Sequence, residues 1–469
     1  MQKSWTGSAG HDLFVELRLD RGRRAGLEDG LRNAIRAGRL LAGTRLPSSR
    51  ALARDLGIAR GTVVEAYEQL IAEGYLTARR GRGTSVAAGA HPAGVAARPS
   101  SRPTRAAALV PGAPDLATFP RRRWLAALRR ALATAPDRAL DYGDPRGLLE
   151  LRETLARYLG RTRGVAASAD RLVICSGFVQ AWAVLCRALR FAGASGVAFE
   201  DPGNRLYRSI AEADGLRVIA LPVDDEGAQP GALADEDAAA VLVTPAHQMP
   251  MGVTMSAARR AALLSWARAG EGIVVEDDYD CEFRYDQTPV GALQGLDQER
   301  VAHVGSASKT LAPGLRLAWL TVPPRLLDSV LRAKMAADWA TGVLDQLAFR
   351  ELVESGDYDR HVRRMRRSYW QRRDLLVSTL AERVPTVRVA GVAAGLHAVV
   401  ELPSPGPSEE DVIALGWLRS IPVMGLGIFR LRRRPDDRQA IVVGYGRPPH
   451  HRYRQEVERL ADLLADACT

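Results

Sequence analysis

Residues 305–316 read GSASKTLAPGLR and contain the most informative lysine of the chain. Only three lysines occur among 469 residues, at Lys3, Lys309 and Lys334, and arginine supplies the other basic side chains. The segment follows a stretch typical of a buried strand, and its hydroxyls and Arg316 are groups that bind phosphate. A desolvated lysine beside other cations has a lowered pKa and forms Schiff bases with aldehydes. The alternative is a lysine exposed on a surface loop.

An acidic segment precedes this lysine, because residues 274–280 read VVEDDYD. Its carboxylates come just past the end of an apolar strand, at the edge where open α/β sheets bind ligands. A buried carboxylate there could keep a pyridine nitrogen protonated, which lets pyridoxal phosphate accept electrons. A magnesium site and a solvated acidic loop are the alternatives. No phosphate-binding G-x-x-x-x-G-K-[ST] motif accompanies the segment.

Seven apolar segments predict strands, and most of them alternate with helical patterns. They cover residues 171–175, 196–200, 217–221, 239–244, 272–276, 301–305 and 317–322. Strands that alternate with helices form a largely parallel sheet that is covered on both faces. We therefore expect an α/β fold from about residue 108 onward.

The first quarter of the chain has a different pattern. It predicts three helices and two short strands, at residues 27–39, 48–56, 60–73, 75–77 and 84–86. Ser48 or Ser49 can cap the second helix. Helix, turn, helix and basic hairpin are the layout of a winged helix-turn-helix.

Charge favours a nucleic-acid-binding role for this part of the chain. Residues 1–107 hold 18 Lys and Arg against 9 Asp and Glu, a net charge of +9, whereas the whole chain carries +11. The third helix would present Arg60 and Thr62 to base edges in the major groove, with Arg50 near the DNA backbone. A solvated basic surface, or a helical hairpin used for protein contacts, is the alternative.

The amino-acid sequence of this region resembles a GntR-type winged helix. The resemblance is carried by AGRL at 37–40, LPSSR at 46–50, RGTV at 60–63, EGYL at 73–76 and GRGT at 81–84. It implies DNA contacts by Arg50, Arg60, Thr62, Arg80, Gly81 and Arg82. Ala59 stands where this family often has a Ser or Thr that caps the recognition helix.

The rest of the chain resembles fold type I aminotransferases as they occur in MocR/GabR regulators. Besides the two segments above, the resemblance is carried by YGDPRG at 142–147, SG at 176–177, EDPG at 200–203, TPAHQMP at 244–250 and AGLH at 394–397. It implies an α/β protein with a winged helix-turn-helix at residues 12–87 and a flexible linker at 88–107. Residues 108–469 would form an aminotransferase-like domain that binds pyridoxal 5'-phosphate and dimerises.

The resemblance also implies roles for individual residues. Lys309 would form the Schiff base, and Asp277 would pair with the pyridine nitrogen, with Tyr279 and His247 near the ring hydroxyl. The phosphate would be held by Gly177, Phe178, Ser306, Ser308 and Arg316, and by Tyr142 reaching over from the partner subunit.

Two positions depart from the family pattern. Asn204 stands where an aromatic residue usually stacks on the pyridine ring. Val442 stands where aminotransferases have the arginine that binds the substrate carboxylate. Arg430 or Arg432 could substitute for that arginine. Both departures favour a sensor over an efficient transaminase.

The leading hypothesis is a cytoplasmic transcription regulator that binds a double-stranded DNA operator. It would sense pyridoxal phosphate or a small amino compound, through exchange of the lysine Schiff base, as a homodimer. A head-to-tail arrangement of subunits and the orientation of the half-sites are left open. The alternatives are an aminotransferase with an accessory DNA-binding head and a cofactor-free dimerisation body.

The four cysteines form no C-x-x-C pair, so no metal site is expected. No apolar run of the sequence is long enough to span a membrane.

Overall fold

The computed structural model describes residues 3–5, 15–17, 22–36, 38–79, 83–88, 109–285, 290–432 and 437–468. It divides the chain into two compact units, Met1–Thr104 and Arg105–Thr469. The predicted linker at 88–107 lies, except for residue 88, outside the described residues. Of the helices described below, none is both long enough and apolar enough to cross a membrane.

Three helices form the framework of the N-terminal unit: α1 (Arg23–Arg36), α2 (Ser49–Leu56) and α3 (Arg60–Ala72). Apolar residues of α1 and α3 share one core, in which Leu31, Ile35 and Leu70 are at most 3% exposed. The helix predicted at 27–39 begins and ends earlier than expected. It ends at Arg36 because Gly38 adopts a left-handed φ of +70° and the Leu40 amide donates to the Ala34 carbonyl.

Two antiparallel strand pairs accompany these helices. The first pair, β1 (Lys3–Trp5) and β2 (Val15–Leu17), has no counterpart in the predictions. The second pair, β3 (Leu76–Arg79) and β4 (Gly83–Val86), confirms the predicted hairpin. Its tip, which contains Arg80, Gly81 and Arg82, lies outside the described residues.

An eight-stranded sheet forms the centre of the C-terminal unit. Its strands are β5 (Leu172–Cys175), β6 (Gly196–Asp201), β7 (Arg217–Asp224), β8 (Gly227–Ala228), β9 (Ala240–Val243), β10 (Ile273–Asp278), β11 (Val301–Ser306) and β12 (Ala318–Thr321), in the order β5-β12-β11-β10-β9-β6-β7-β8. All seven predicted strands are confirmed. The sheet is mostly parallel, since only β12 and β8 run against their neighbours. Asp278 of β10 lies opposite Gly305 of β11, so the acidic and lysine segments leave the same edge of the sheet.

Helices cover both faces of this sheet. They are α4 (Arg121–Thr134), α5 (Leu149–Arg163), α6 (Phe178–Phe191), α7 (Arg205–Ala213), α8 (Ala257–Ala269), α9 (Leu327–Asp338), α10 (Val343–Glu354) and α11 (Asp357–Arg383). Neighbouring strand residues point to opposite faces. Val275 therefore packs into one apolar cluster with Trp182, and Val274 into another with Leu263. This two-sided burial explains why the strands are continuous apolar runs.

A smaller antiparallel sheet completes the C-terminal unit. Its strands are β13 (Arg388–Ala390), β14 (His397–Glu401), β15 (Met424–Gly425) and β16 (Ala440–Gly444), in the order β13-β14-β16-β15, with helices α12 (Glu409–Leu418) and α13 (His450–Ala467) beside them. Arg372 of α11 forms a buried ion pair of 2.6 Å with Asp115. The pair fixes the entering segment of this unit against its longest helix.

Candidate functional site

A cavity of about 410 Å³ lies at the carboxyl edge of the large sheet. Residues at or just after the ends of β6, β9, β10 and β11 line it, among them Glu200, Thr244, Asp277 and Lys309. Its size falls within the range of small-molecule sites. The structure thus brings the predicted lysine and the predicted aspartate into one pocket.

Lys309 is half-buried in the loop after β11. Its amine donates a hydrogen bond to the carbonyl of Gly112. Burial lowers the pKa of Lys309, although the charges of Asp280 and Asp277 oppose that change. A lysine in this setting is neutral at lower pH than usual, and only the neutral amine is a nucleophile.

Asp277 is 3% exposed and lies near the end of β10. Burial raises the pKa of Asp277 well above its ordinary value, and the Lys309 charge only partly offsets that effect. The Tyr207 hydroxyl lies beside the Asp277 carboxyl group. The Asn204 side chain lies beside the same hydroxyl. A protonated ring nitrogen in the cavity would stabilise the charged form of Asp277.

A cradle for an anion forms where α6 begins. Gly177, the residue before the helix, has a φ of +85°, and the Arg316 Nη2 donates to the Ser176 carbonyl at 2.7 Å. A side chain at Gly177 would overlap the Arg316 guanidinium, with its Cβ 2.7 Å from Nη1. Amide groups at the start of a helix and a neighbouring guanidinium together favour a phosphate.

The remaining predicted phosphate ligands are at the start of α6, at the end of β11 and in the loop after β11. Phe178 is the first residue of α6, Ser306 ends β11 and is buried, and Ser308 is half-buried in the Lys309 loop. None of these three residues, nor Gly177 or Arg316, is among the residues that line the cavity of Lys309. Tyr142 does not line it either and is 83% exposed.

Glu200 is a cavity residue that the sequence analysis did not single out. Its Oε2 accepts hydrogen bonds from Thr244 and Gln248, whereas its buried Oε1 has no partner among the described residues. Burial raises the pKa of Glu200 to about 7. Its position in the EDPG segment was the available signal, but that segment served only to identify the family.

His247 lies behind the cavity wall. Its Nδ1 is 3.0 Å from Asp280 Oδ2 and 3.2 Å from the Tyr279 hydroxyl, and its ring lies 4.8 Å from that of His397. His247, Asp280 and His397 are the one set of potential metal ligands within 4.8 Å of one another in the described chain. Because Asp280 bonds to His247 and His397 bonds to the Pro250 carbonyl, hydrogen bonds among the protein groups account for this cluster.

The two departures from the family pattern have structural explanations. Asn204 caps α7, since its side-chain oxygen accepts from the Leu206 amide at 3.0 Å. Val442 is fully buried in an apolar cluster of the small sheet. Neither Arg430, which pairs with Asp437 at 3.2 Å, nor the exposed Arg432 lines the cavity.

The N-terminal unit contains two kinds of arginine. Arg24 and Arg32 form ion pairs with glutamates within the unit, at 2.7 Å and 2.9 Å. Arg50 and Arg60 are exposed at the starts of α2 and α3, and no ion pair holds them within the described residues. Thr62 is half-buried two residues further into α3. The uncompensated guanidinium groups thus lie where a helix-turn-helix contacts DNA.

Comparison with known protein families matches both units. Residues 24–86 match the family described as bacterial regulatory proteins, gntR family, and residues 112–413 match aminotransferase class I and II. The chain is 32% identical over 444 residues to the HTH-type pyridoxine biosynthesis transcriptional regulator PdxR of Corynebacterium glutamicum, which covers 94% of this chain and 95% of the relative. It is 34% identical to the probable rhizopine catabolism regulatory protein MocR of Rhizobium meliloti, over 75% of this chain and 76% of the relative.

Solved aminotransferase structures share the fold of the second unit. A kynurenine aminotransferase of Pyrococcus horikoshii superposes with a TM-score of 0.68 at 28% identity, covering 76% of this chain and 90% of that one. The chain therefore belongs to the aminotransferase class I and II family, and its N-terminal part is a GntR-type domain. More particularly, it is a DNA-binding transcription regulator of the MocR type, and the resemblance found in the sequence is confirmed.

Proposed function

We propose that the aminotransferase-like unit binds pyridoxal 5'-phosphate and that this binding, or the arrival of a small amino compound, controls DNA binding by the head. The observation that carries the proposal is the shared cavity of Lys309 and the buried Asp277. The fold family binds this cofactor, which adds support.

The residues present fit the cofactor. Because Gly177 has no Cβ, the Arg316 guanidinium can lie against the start of α6, where the first amides of the helix and a cation together suit a phosphate. When bound, the cofactor supplies an aldehyde carbon that amines attack and a ring that accepts electrons. Lys309 would hold it covalently, and Asp277 would hold a proton at the ring nitrogen. Tyr279 would lie near the ring hydroxyl with His247 behind it, and Phe178, Ser306 and Ser308 would support the phosphate.

A sensor suits this cavity better than an efficient transaminase. Val442 is buried among apolar side chains and offers no charge to a substrate carboxylate. Asn204 stabilises the start of α7 where an aromatic ring would otherwise stack. Among the described residues, Arg205 is the one arginine that lines the cavity. The second candidate function is an aminotransferase with an accessory DNA-binding head, because the chain has both Lys309 and Asp277.

The DNA-binding part of the proposal rests on the exposed arginines of the head. Arg60 and Thr62 would read bases, Arg50 would bind nearby phosphates, and Arg80, Gly81 and Arg82 would extend these contacts. We take residues 12–87 as the head, 88–107 as a linker and 108–469 as the effector and dimerisation domain.

We further propose that the protein acts as a homodimer in the cytoplasm. The exposed ring of Tyr142 suits a contact with the phosphate of a partner subunit, as the resemblance implies. A two-fold dimer carries two heads and would recognise paired half-sites on a double-stranded operator.

The decisive experiment compares the wild type with Lys309→Ala in one DNA-binding assay. Chromosomal sites occupied by the wild type are first mapped with and without added pyridoxal phosphate, and the bound DNA is then titrated with both proteins. We expect the cofactor to change the DNA affinity of the wild type and to leave that of Lys309→Ala unchanged. Equal responses of both proteins would refute sensing through Lys309. Sustained amino transfer without any effect on DNA would favour the second candidate function.

A further inference from the structure

A second cavity of about 410 Å³ lies beside the first in the C-terminal unit. The entering segment separates the two, because Pro111 and Gly112 line the first cavity while Leu109 and Ala113 line the second. The start of α13 and the loop before it form another wall. None of the roles proposed above uses this second cavity.

The second cavity carries uncompensated positive charge. Its two carboxylates are already paired, Asp115 with Arg372 at 2.6 Å and Glu456 with Arg459 at 3.0 Å. Arg447 and Arg452 also line the cavity, and within the described chain neither forms an ion pair. The Nε of Arg447 is buried and lacks any hydrogen-bond partner among these residues. A buried unpaired donor costs free energy, which an anion at this place would recover.

Apart from Ser420, the rest of the lining is apolar. Leu109, Ala113 and Ile421 are buried, and Pro313 and Pro422 add rigid surface without amide donors. A fully hydrated anion gains nothing from such walls, whereas an aryl or alkyl group is removed from water there. The combination suits a molecule with one negatively charged end and an apolar body.

The second cavity is linked physically to Lys309. Gly112 accepts the hydrogen bond of the Lys309 amine, and its neighbour Ala113 lines the second cavity. Pro313 of that cavity lies four residues after Lys309, in the same connection between β11 and β12. Burial is the main cause that lowers the pKa of Lys309; the charge of Arg447 adds to this effect, while Asp280 and Asp277 oppose it. An anion beside Arg447 would screen that charge.

We propose that the second cavity is a binding site for a small carboxylate with an apolar body, held by Arg447 and Arg452, and that its occupancy changes the reactivity of Lys309. The site is distinct from the cofactor cavity and gives the protein a second place where a small molecule can bind. This inference does not depend on DNA binding or on the cofactor.

The binding test uses benzoate as the probe, on the full-length protein with and without pyridoxal phosphate, by calorimetry or ligand-detected NMR. We expect Arg447→Met to weaken benzoate binding at least about tenfold, the effect of losing a hydrogen bond to a charged group. Arg452 is exposed and screened by water, so Arg452→Met should weaken it by a smaller factor of about two to five. Arg454→Met removes an exposed arginine of α13 outside the cavity and should change it by less than about twofold. Absence of benzoate binding, or equal binding by all three variants, would overturn the proposal.

Two ligand controls test the chemistry of the site. Benzamide has nearly the shape of benzoate without its charge, and inorganic phosphate has charge without an apolar body. Both should bind at least about tenfold more weakly than benzoate. Equal binding of benzamide would remove the role of the arginines, and equal binding of phosphate would remove the role of the apolar walls.

The link to Lys309 has its own readout in the cofactor-free full-length protein. With three lysines in the chain, reductive methylation followed by peptide mass spectrometry reports on Lys309 separately. Benzoate should raise the pKa of Lys309 because it screens Arg447, so labelling near pH 7 should slow at least about twofold. Arg447→Met should slow labelling in the same direction and abolish the response to benzoate. An unchanged labelling rate with benzoate bound would overturn the coupling.

Discussion

Replacing Gly177 by alanine tests the phosphate cradle most directly. Gly177 has a φ of +85° and a ψ of 169°, a conformation essentially restricted to glycine. An alanine Cβ would also overlap the Arg316 guanidinium, which donates to Ser176. The free protein can relieve this strain by moving the loop, whereas phosphate binding requires the loop in place. The cost therefore falls on binding.

The expected magnitude follows from the backbone strain. A non-glycine residue in such a conformation costs about 1–3 kcal/mol, which corresponds to a rise of roughly 5- to 150-fold in the dissociation constant for pyridoxal phosphate. Titration of the cofactor-free protein, followed by the absorbance of the Schiff base, measures this constant. An unfolding curve recorded in parallel checks that the variant is folded.

Gly164→Ala is the matched control for this experiment. Gly164 ends α5 with a φ of +69°, and a Cβ there would meet no atom within 4 Å. It shares the positive φ but is not part of the cradle, so its stability should fall while cofactor affinity is retained. Wild-type affinity in Gly177→Ala, or an equal loss in Gly164→Ala, would refute the assignment of the cradle.

Other variants test the remaining parts of the proposal. Lys309→Ala should remove the visible Schiff-base absorbance without unfolding the protein; a retained band would assign the chemistry to another amine. Arg60→Ala should cost about 1–3 kcal/mol on the operator and relax sequence preference, whereas Arg32→Ala, whose guanidinium pairs within the head, should leave DNA binding nearly unchanged. Equal losses on operator and random DNA would contradict base reading by Arg60. Because the folded-state pKa of Glu200 is raised to about 7, the carboxyl group keeps its proton longer in the folded protein, and stability should fall by roughly 3 kcal/mol as pH rises from about 4.5 to 7. Glu200→Gln should flatten this dependence in chemical unfolding at several pH values. Tyr142→Ala should weaken cofactor binding if the dimer shares its sites, and sedimentation of the cofactor-loaded protein should give a dimer; tight cofactor binding by a monomer would contradict the shared site.

Burial on both faces made the large sheet predictable from the sequence. Each strand had to be a short continuous apolar run, and such runs are visible without any structure. The boundaries of α1 were less predictable, because the position of its end depends on the left-handed Gly38 and on a hydrogen bond from Leu40. The β1–β2 pair consists of three-residue strands, which are too short to show a period.

Chemistry near Lys309 was also predictable, whereas the second layer of the site was not. A rare lysine and a carboxylate after adjacent strands must meet at one sheet edge. Glu200 Oε1 and Arg447 Nε lack partners in the described part of the chain, and whether a buried atom has a partner depends on which other side chains surround it. Such accounting needs the packing of distant segments, which spacing in the sequence does not reveal. Asn204 shows the same limit, since a capping role depends on where α7 begins.

The hydrogen bond from Lys309 to Gly112 has a mechanical consequence. A lysine nitrogen carries three protons as an ammonium group but at most one once it has bonded to an aldehyde carbon. Covalent chemistry at this nitrogen therefore withdraws donors from the carbonyl that fixes the entering segment. That segment continues directly, toward the N-terminus, into the predicted linker at 88–107. Chemistry at one atom can thus loosen the hold on Gly112 without any rearrangement of the large sheet.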